Sequence, residues 1–338
     1  MIGFRVDSNE IIATGHFMRS KVIAAELQSL GKKVLFICAD ETGHDLACKH
    51  GFSAVVLHSL WNRLDDETEQ LIEIIHTYSI EKLIIDSYQV TYEYLSTLDA
   101  VVPVTYIDDL NAFTYPVSML VNYNIYALEM PYVENYRDTP TKILLGLDYL
   151  PLRKEFQGVI RDDRSKVSNI LISTGGSDPL HIAEQLVFLL NSQEDFQNII
   201  LHIVLGQFSK FSLQDISNFS NIRIHRNIEN MVDLMCLCDV AITAGGSTMY
   251  ELCASGLPAV SFSYADNQLP GVLYLDRVGL IPYAGDYRVD TKSSLSRILE
   301  LVREVIFIND KRRDIGKKMQ NLVDGLGGQR LAEAIILL

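Results

Sequence analysis

Short apolar runs alternate with helical patterns along this chain, and the alternation occurs twice. In the first half the runs are 2–6 (IGFRV), 33–39 (KVLFICA), 53–57 (SAVVL), 82–87 (KLIIDS), 103–109 (PVTYIDD) and 118–123 (SMLVNY). Each is continuous in apolar residues rather than alternating, the mark of a strand buried on both faces. Between the first two, Phe17, Val22, Ile23, Leu27 and Leu30 fall at helical spacing, and Gly31 supplies a C-terminal cap. A second amphipathic helix follows in DETEQLIEIIHTYSI. Strands separated by helices in this way are joined by crossovers and lie parallel.

The pattern breaks at 129–158, where prolines and clustered charge replace any sustained period, as in a domain connection. It then restarts with strands at 168–176, 198–206, 222–227, 240–246 and 258–264, and with a helix over 247–255. A chain of 338 residues exceeds the usual reach of one core. The expected architecture is α/β: two doubly wound Rossmann-like domains, 1–150 and 151–338, facing each other across a cleft. The final helix is placed to pack back on the N-terminal domain. Ligands of such sheets sit at the carboxyl ends of the strands.

Composition narrows the partners. A formal charge of −14 repels nucleic acid and anionic membrane surfaces. It leaves open a small phosphorylated ligand held by backbone amides. No run approaches the ~18 apolar residues of a spanning helix, and MIGFRVDSNE shows no export signal, so a cytoplasmic protein without integral membrane contact is expected. The oligomeric state is not encoded in any visible pattern. The five cysteines are an odd number and read as reduced thiols, with Cys236 and Cys238 as packing residues in an apolar stretch. The histidines show no metal-ligand spacing, and neither a metal nor a cofactor is implied. The aspartates of IDD, at 107–109, read as loop caps.

Three strands end in glycine turns: FRVDSNEIIATGHFMRS, ILISTGGSDP and AITAGGSTMYE. Such turns free N–H groups at a helix mouth, where the dipole favours an anion. None fits the dinucleotide or Walker phosphate-loop pattern. In the third turn Ser247 and Thr248 offer capping hydroxyls, and Glu251 lies one helical turn on, either gripping a ribose diol or serving as an ordinary first-turn carboxylate. Gly15 permits a tight turn before His16, which opens a helix. The positive helix end disfavours imidazolium, the state a general base must avoid, while a merely packed or solvated histidine is the plainer reading.

In order along the chain these stretches resemble one family. Arg5, Asp7, Gly15, His16 and Arg19 match its R-x-D…G-H-x-x-R signature, LIIDSY with Asp86 and Tyr88 its IDxY segment, and GLDYLPLRKEF its interdomain stretch. TGGSDP, with Gly175 and Gly176, corresponds to a G-G-[ST]-D loop, AGGSTMYEL to the nucleotide-binding turn, and YADNQ to a loop ending Asn267-Gln268. The chain is similar, over residues 4 to about 268, to the UDP-2,4-diacetamido-2,4,6-trideoxy-β-L-altropyranose hydrolases of pseudaminic acid biosynthesis (PseG), with relatives among spore-coat polysaccharide proteins. The resemblance implies a GT-B-type fold and metal-independent, inverting hydrolysis of a UDP-sugar. His16 would be the base and Tyr88 a tyrosine at the sugar. Arg5, Asp7, Gly15, Arg19, Gly175 and Gly176 would belong to the substrate site. Amides around Gly245, Gly246, Ser247 and Thr248 would meet the diphosphate, Glu251 the ribose, and Asn267 with Gln268 the sugar or phosphate. Ser87 departs from the family's histidine and leaves the sugar open.

Two other classes share these features. A GT-B glycosyltransferase would use the same UDP site with an acceptor hydroxyl, and a non-catalytic sugar-nucleotide-binding subunit would keep the phosphate turn without needing a base. The only dense basic run, 309–319, lies near the C-terminus rather than on the first domain, where a lipid-facing transferase would carry it.

Overall fold

A computed structural model describes residues 1–161, 164–176, 178–206, 209, 211, 219–226, 228, 230–307 and 309–338, with the backbone alone for 309–311. Ser177 of the G-G-S-D loop, Asn227 of the expected strand 222–227 and Glu229 before the helix at 231 fall outside the described residues. The chain forms two compact units: Met1–Arg153 with Leu326–Leu338, and Lys154–Gly325.

Unit 1 contains strands β1 (Ile2–Val6), β2 (Val34–Cys38), β3 (Ser53–Val56), β4 (Lys82–Asp86), β5 (Val104–Ile107), β6 (Met119–Asn122) and β7 (Lys142–Leu145). Its helices are α1 (Gly15–Ser29), α2 (Glu41–Lys49), α3 (Thr68–Thr77), α4 (Tyr92–Asp99) and the single turn α5 (Tyr132–Asn135). The sheet order is β3-β2-β1-β4-β5-β6-β7, all parallel. On one face Phe4 stacks on Phe36 at 5.2 Å, and Phe17 of α1 packs on Phe36 at 5.3 Å. On the other, Leu71 and Ile75 of α3 and Leu95 and Leu98 of α4 join Ile37, Leu83 and Ile85 in one core. Each such buried side chain contributes about 1.5–3 kcal/mol against the entropy of ordering the chain.

Unit 2 contains β8 (Asn169–Ser173), β9 (Ile200–Leu205), β10 (Ile222–Arg226), β11 (Val240–Ala244), β12 (Ala259–Ser263) and β13 (Tyr283–Asp286). Its helices are α6 (Ile182–Asn191), α7 (Met231–Leu237), α8 (Thr248–Ser255), α9 (Leu269–Arg277), α10 (Thr291–Phe307) and α11 (Asn309–Gln320). The order β10-β9-β8-β11-β12-β13 is again parallel throughout. Leu186 and Leu190 of α6 and Ile298 and Leu301 of α10 close over Ile172, Ile203, Ile242 and Phe262. The last helix, α12 (Gly327–Ile336), belongs to unit 1.

Two strands lie where the sequence pattern gives no strand. β7 occupies the stretch read as a connection, and β13 spells Tyr-Ala-Gly-Asp. Both are four-residue edge strands; β13 has no apolar run, and the Ile-Leu-Leu run of β7 is set among the prolines and charges that mark the stretch as a connection. No described helix is long and apolar enough to cross a membrane.

Candidate active site

In both units the strand order reverses at one point, between β1 and β4 and between β8 and β11. A crevice opens at the carboxyl ends of the strands at such a point, the usual ligand position of a doubly wound sheet. The loops after β1 and β4 in unit 1 and after β8 and β11 in unit 2 carry most of the candidate residues; Asn267 and Gln268 follow β12.

In unit 1, Arg5 near the end of β1 is fully buried. Its Nη1 donates to Asp7 at 2.7 Å, its Nε to Glu67 at 2.5 Å and its Nη2 to Glu67 at 2.9 Å. Burial opposes the charge of Arg5, but Asp7 and Glu67 outweigh it and raise its pKa. Asp7 also accepts from Ala39 N–H at 2.7 Å. Arg5 and Asp7 therefore brace the β1–α1 loop from below; Arg5 has no surface to offer a ligand. The left-handed residue of that loop is Ala13, with φ 57°, not Gly15, around which no described atom comes within 4 Å of an added Cβ. The hydroxyl of Ser8 donates to Ala13 O at 3.0 Å and helps to hold that turn.

His16, in the first turn of α1, reaches across to the last residue of β4: its Nδ1 lies 2.5 Å from Asp86 Oδ1. Asp86 is buried, which by itself would raise its pKa, but Arg19 and His16 hold it well below the usual carboxylate range. An ionised carboxylate only accepts, so the proton of this hydrogen bond sits on His16 Nδ1, and Nε2 is left as the acceptor. Arg19, one turn on, donates to Asp86 from Nε at 2.6 Å and from Nη2 at 2.5 Å. Its Nη1 donates to Asp109 at 2.8 Å and to Tyr123 Oη at 2.9 Å. Tyr88 donates to the same Asp109 oxygen at 2.7 Å and packs edge-on against His16, with ring centroids 4.7 Å apart. Asn124 donates to Asp109 Oδ1 at 2.8 Å. Burial raises the pKa of Asp109, but Arg19 and the Tyr88 hydroxyl bring it below the usual range.

The two aspartates of IDD thus divide their work. Asp108 caps its loop, accepting from Leu110 and Asn111 N–H at 2.9 and 2.8 Å. Asp109 enters the His16 cluster, contrary to its reading as a cap. Sequence reasoning named Asp86 only as part of the IDxY segment and read Asp109 as a loop cap, and it gave neither a role beside His16. The local signals are an aspartate that ends a buried strand beside the point of reversal, for Asp86, and an aspartate two residues past the next strand, for Asp109.

In unit 2, φ at Gly175 is +91°, and a Cβ there would lie 2.9 Å from Tyr264 Oη, which donates to Thr174 O at 2.9 Å. A Cβ on Gly245 would meet Val272 Cγ1 at 2.5 Å and Gln268 Cβ at 3.0 Å, so glycine is needed for the Asp266–Gln268 turn to close over it. Gln268 Oε1 accepts from Tyr264 N–H at 2.8 Å, while Asn267 is exposed. The structure brings Gly175, Gly245 and Gln268 together around Tyr264. Gly176 packs its backbone against Gly206 instead, where an added Cβ would lie 2.2 Å from Gly176 O.

Two of the four expected amides are already used. Gly245 N–H donates to Phe262 O at 2.9 Å and Gly246 N–H to Ala244 O at 2.8 Å. The N–H groups of Ser247 and Thr248 have no backbone partner among the described residues. Ser247 holds the N-cap position of α8 without the side-chain capping bond its type suggests. Glu251 is half-buried in the first turn of α8. Asp178, in the G-G-S-D loop, accepts from Ile182 and Ala183 N–H at 2.9 and 3.0 Å and starts α6.

Among the described residues one group has ligand atoms close enough for a metal ion, Glu41, His44 and Asp45 within 4.8 Å. Helical spacing on α2 assembles it, a pattern the sequence reading did not pick out. The two carboxylates are exposed, and the group is not part of the His16 cluster.

This is a two-domain α/β fold of the GT-B type, and solved glycosyltransferases share it from end to end. Acinetobacter baumannii MurG matches with a TM-score of 0.68 and 13% identity over 100% of this chain and 99% of its own. The glycosyltransferase SnogD from Streptomyces nogalater matches with a TM-score of 0.68 and 14% identity over 100% and 99%. No family model matches the chain. Among curated proteins, the uncharacterized protein MJ1062 of Methanocaldococcus jannaschii is 27% identical over 77% of this chain and 54% of its own length. The spore coat polysaccharide biosynthesis protein SpsG of Bacillus subtilis is 29% identical over 38% of this chain and 39% of its own. The chain therefore spans about half or less of the length of these two relatives. The UDP-2,4-diacetamido-2,4,6-trideoxy-β-L-altropyranose hydrolase of Campylobacter jejuni is 24% identical over 82% of this chain and 96% of its own. The chain resembles that hydrolase family over most of its length, and SpsG matches as well.

Proposed function

We propose that the chain hydrolyses a UDP-linked sugar, with a UDP-diacetamido-trideoxyhexose as the first candidate, giving UDP and the free sugar with inverted anomeric configuration. The observation that carries this reading is the 2.5 Å contact between His16 Nδ1 and Asp86 at the point of strand reversal. It orients Nε2 as a proton acceptor and provides a fixed anion to stabilise the imidazolium formed during the step. In the proposed reaction Nε2 takes a proton from water as the water oxygen bonds to the anomeric carbon. The bond from that carbon to the diphosphate oxygen breaks, and its electron pair leaves with UDP. Attack opposite the leaving group inverts the centre.

Unit 2 is proposed to hold UDP. The amides of Ser247 and Thr248 and the dipole of α8 would meet the diphosphate charge without a metal. Glu251 would accept the ribose hydroxyls, Asn267 would face the sugar or phosphate, and Gly175 with Gly176 would line the approach. Tyr88 would sit beside the sugar. Arg5 and Asp7 would serve the site through the loop they brace. Free sugar of this type would feed nonulosonic acid synthesis.

A second reading, transfer to an acceptor hydroxyl, draws support from the likeness to solved glycosyltransferases, and it would use the same base and the same leaving group. The test is incubation with a panel of UDP- and CMP-sugars, followed by NMR for free nucleotide and reducing sugar. Release of both without an acceptor, lost in His16→Asn, supports hydrolysis. Turnover only with an acceptor moves the assignment to transfer.

A further inference from the structure

Arg19 falls in the G-H-x-x-R stretch, where the family resemblance makes it part of the substrate site. Its surroundings point elsewhere. A guanidinium carries five N–H donors. Nε–H and one Nη2–H go to the two oxygens of Asp86, and the two Nη1–H go to Asp109 and Tyr123. The remaining Nη2–H lies towards His16 Nδ1, with the nitrogens 3.1 Å apart, but that nitrogen already carries the proton it gives to Asp86. The planar fork is thereby fixed by oxygens of the protein itself, with its side chain 11% exposed.

The charges around His16 form an ordered row: Asp86, Arg19, Asp109. Arg19 comes from α1, Asp86 from the end of β4, and Asp109 from the segment after β5. Uncharged hydroxyls also surround the row: Ser20 on α1, 3.4 Å from Asp86; Tyr88, donating to Asp109; and Tyr106, Tyr123 and Tyr126, whose own ionisation burial disfavours. Two carboxylates favour imidazolium and one guanidinium opposes it.

We propose that Arg19 is a positioning residue that sets the pH at which His16 yields its proton, by dividing its charge between Asp86 and Asp109, and that it is not a contact to the substrate. This deepens the reading of His16 as a base and rests on it, but its physical core concerns the ligand-free protein.

Two substitutions should act in opposite directions. Arg19→Met leaves the two buried carboxylates of the row without their cation and should move the His16 titration midpoint up. Asp109→Asn leaves a neutral Asp86–Arg19 pair and should move it down. Arg19→Lys keeps the charge but not the fork; its midpoint should stay near that of the parent protein while turnover falls.

The midpoint is read from the His16 ring signal in 1H–13C NMR of the ligand-free protein, assigned by its loss in His16→Asn. The acid limb of kcat/KM against pH should follow the same shifts, with KM nearly constant. An Arg19→Met protein whose midpoint stays in place while KM rises would make Arg19 a substrate contact and overturn the proposal. If Arg19→Met does not fold, an unmoved midpoint in Asp109→Asn overturns it equally. Opposite NMR shifts in a protein that turns over no UDP-sugar would uphold the charge row and reject the functional reading instead.

Discussion

Asp86→Asn tests the proposed His16–Asp86 pair most directly. The substitution keeps size and shape but removes the charge 2.5 Å from His16 Nδ1. A charge-assisted hydrogen bond of this kind contributes about 1.5–3 kcal/mol, and each ~1.4 kcal/mol is tenfold in rate. Loss of the imidazolium's partner alone should therefore slow turnover by roughly 10- to 150-fold. Asparagine can also turn its amide N–H toward Nδ1, which selects the tautomer with the proton on Nε2, and that nitrogen then cannot act as a base. Total loss of general-base catalysis is about 10²–10⁴-fold, so the expected fall in kcat lies between about 10² and 10⁴. UDP affinity should hold, because the groups proposed to grip UDP lie on unit 2. The assay is continuous detection of released UDP at saturating substrate, with calorimetric titration of UDP and a thermal melt to confirm the fold. His16 and Asp86 should also act as one unit, so the double variant should be no slower than His16→Asn alone. A folded Asp86→Asn protein with kcat within about threefold of the parent, or losses that simply multiply in the double variant, would refute the dyad.

Other outcomes follow from unit 2. Gly245→Ala forces a Cβ to 2.5 Å from Val272, so it should destabilise the protein by about 1–3 kcal/mol and weaken UDP; Gly246→Ala, with no described atom within 4 Å of its Cβ, should do much less, as melts and calorimetry would show. Glu251→Ala should weaken UDP and substrate alike by up to about 1.5–3 kcal/mol per lost hydrogen bond while sparing kcat; equal dissociation constants would remove Glu251 from the site. Burial, then His225 and Arg223, lower the pKa of His202 from 6.5 to about 4. The unfolded chain therefore takes up a proton on falling through pH 6.5 that the folded unit refuses until about 4, and unit 2 should lose stability across that window. His202→Gln should flatten the pH dependence of its melting point. Activity should persist in EDTA, and loss restored by magnesium or manganese would reject the metal-independent step.

The two-sheet plan was legible because interior parallel strands are buried on both faces and are mostly apolar, with polar residues concentrated towards their carboxyl ends. LIID and AITA announce themselves for that reason, whereas YAGD has no apolar run and KILL, apolar enough, is set among prolines and clustered charges that read as a connection. His16 drew notice through its glycine neighbour, although the structure puts the left-handed turn at Ala13. Asp86 and Asp109 could not be paired with His16 locally, since they lie 70 and 93 positions further along. Only the strand order, which brings β4 beside β1 and β5 beside β4, makes them neighbours. The same holds for Gly245: its sequence says turn, but the reason it must be glycine is Gln268 and Val272, which fold over it from another loop.

The last helix of the chain closes the first unit. Gly327 packs so tightly on Leu150 that an added Cβ would lie 2.3 Å from its carbonyl oxygen, and Gly328 sits over Val22 of α1. Lys82 donates to Ile336 O at 3.0 Å, and Leu331 and Ile335 are buried. On a ribosome, residues 1–153 emerge early, but their covering helix leaves the exit tunnel only after all of unit 2 has been made. The α1 surface that carries His16 on one end and Val22 further along thus waits, partly uncovered, for the final residues. A stop codon placed just after Gly325 would spare every residue of unit 2 and yet strip the helix that carries His16 of its cover, so truncation there should injure residues 1–153 rather than unit 2.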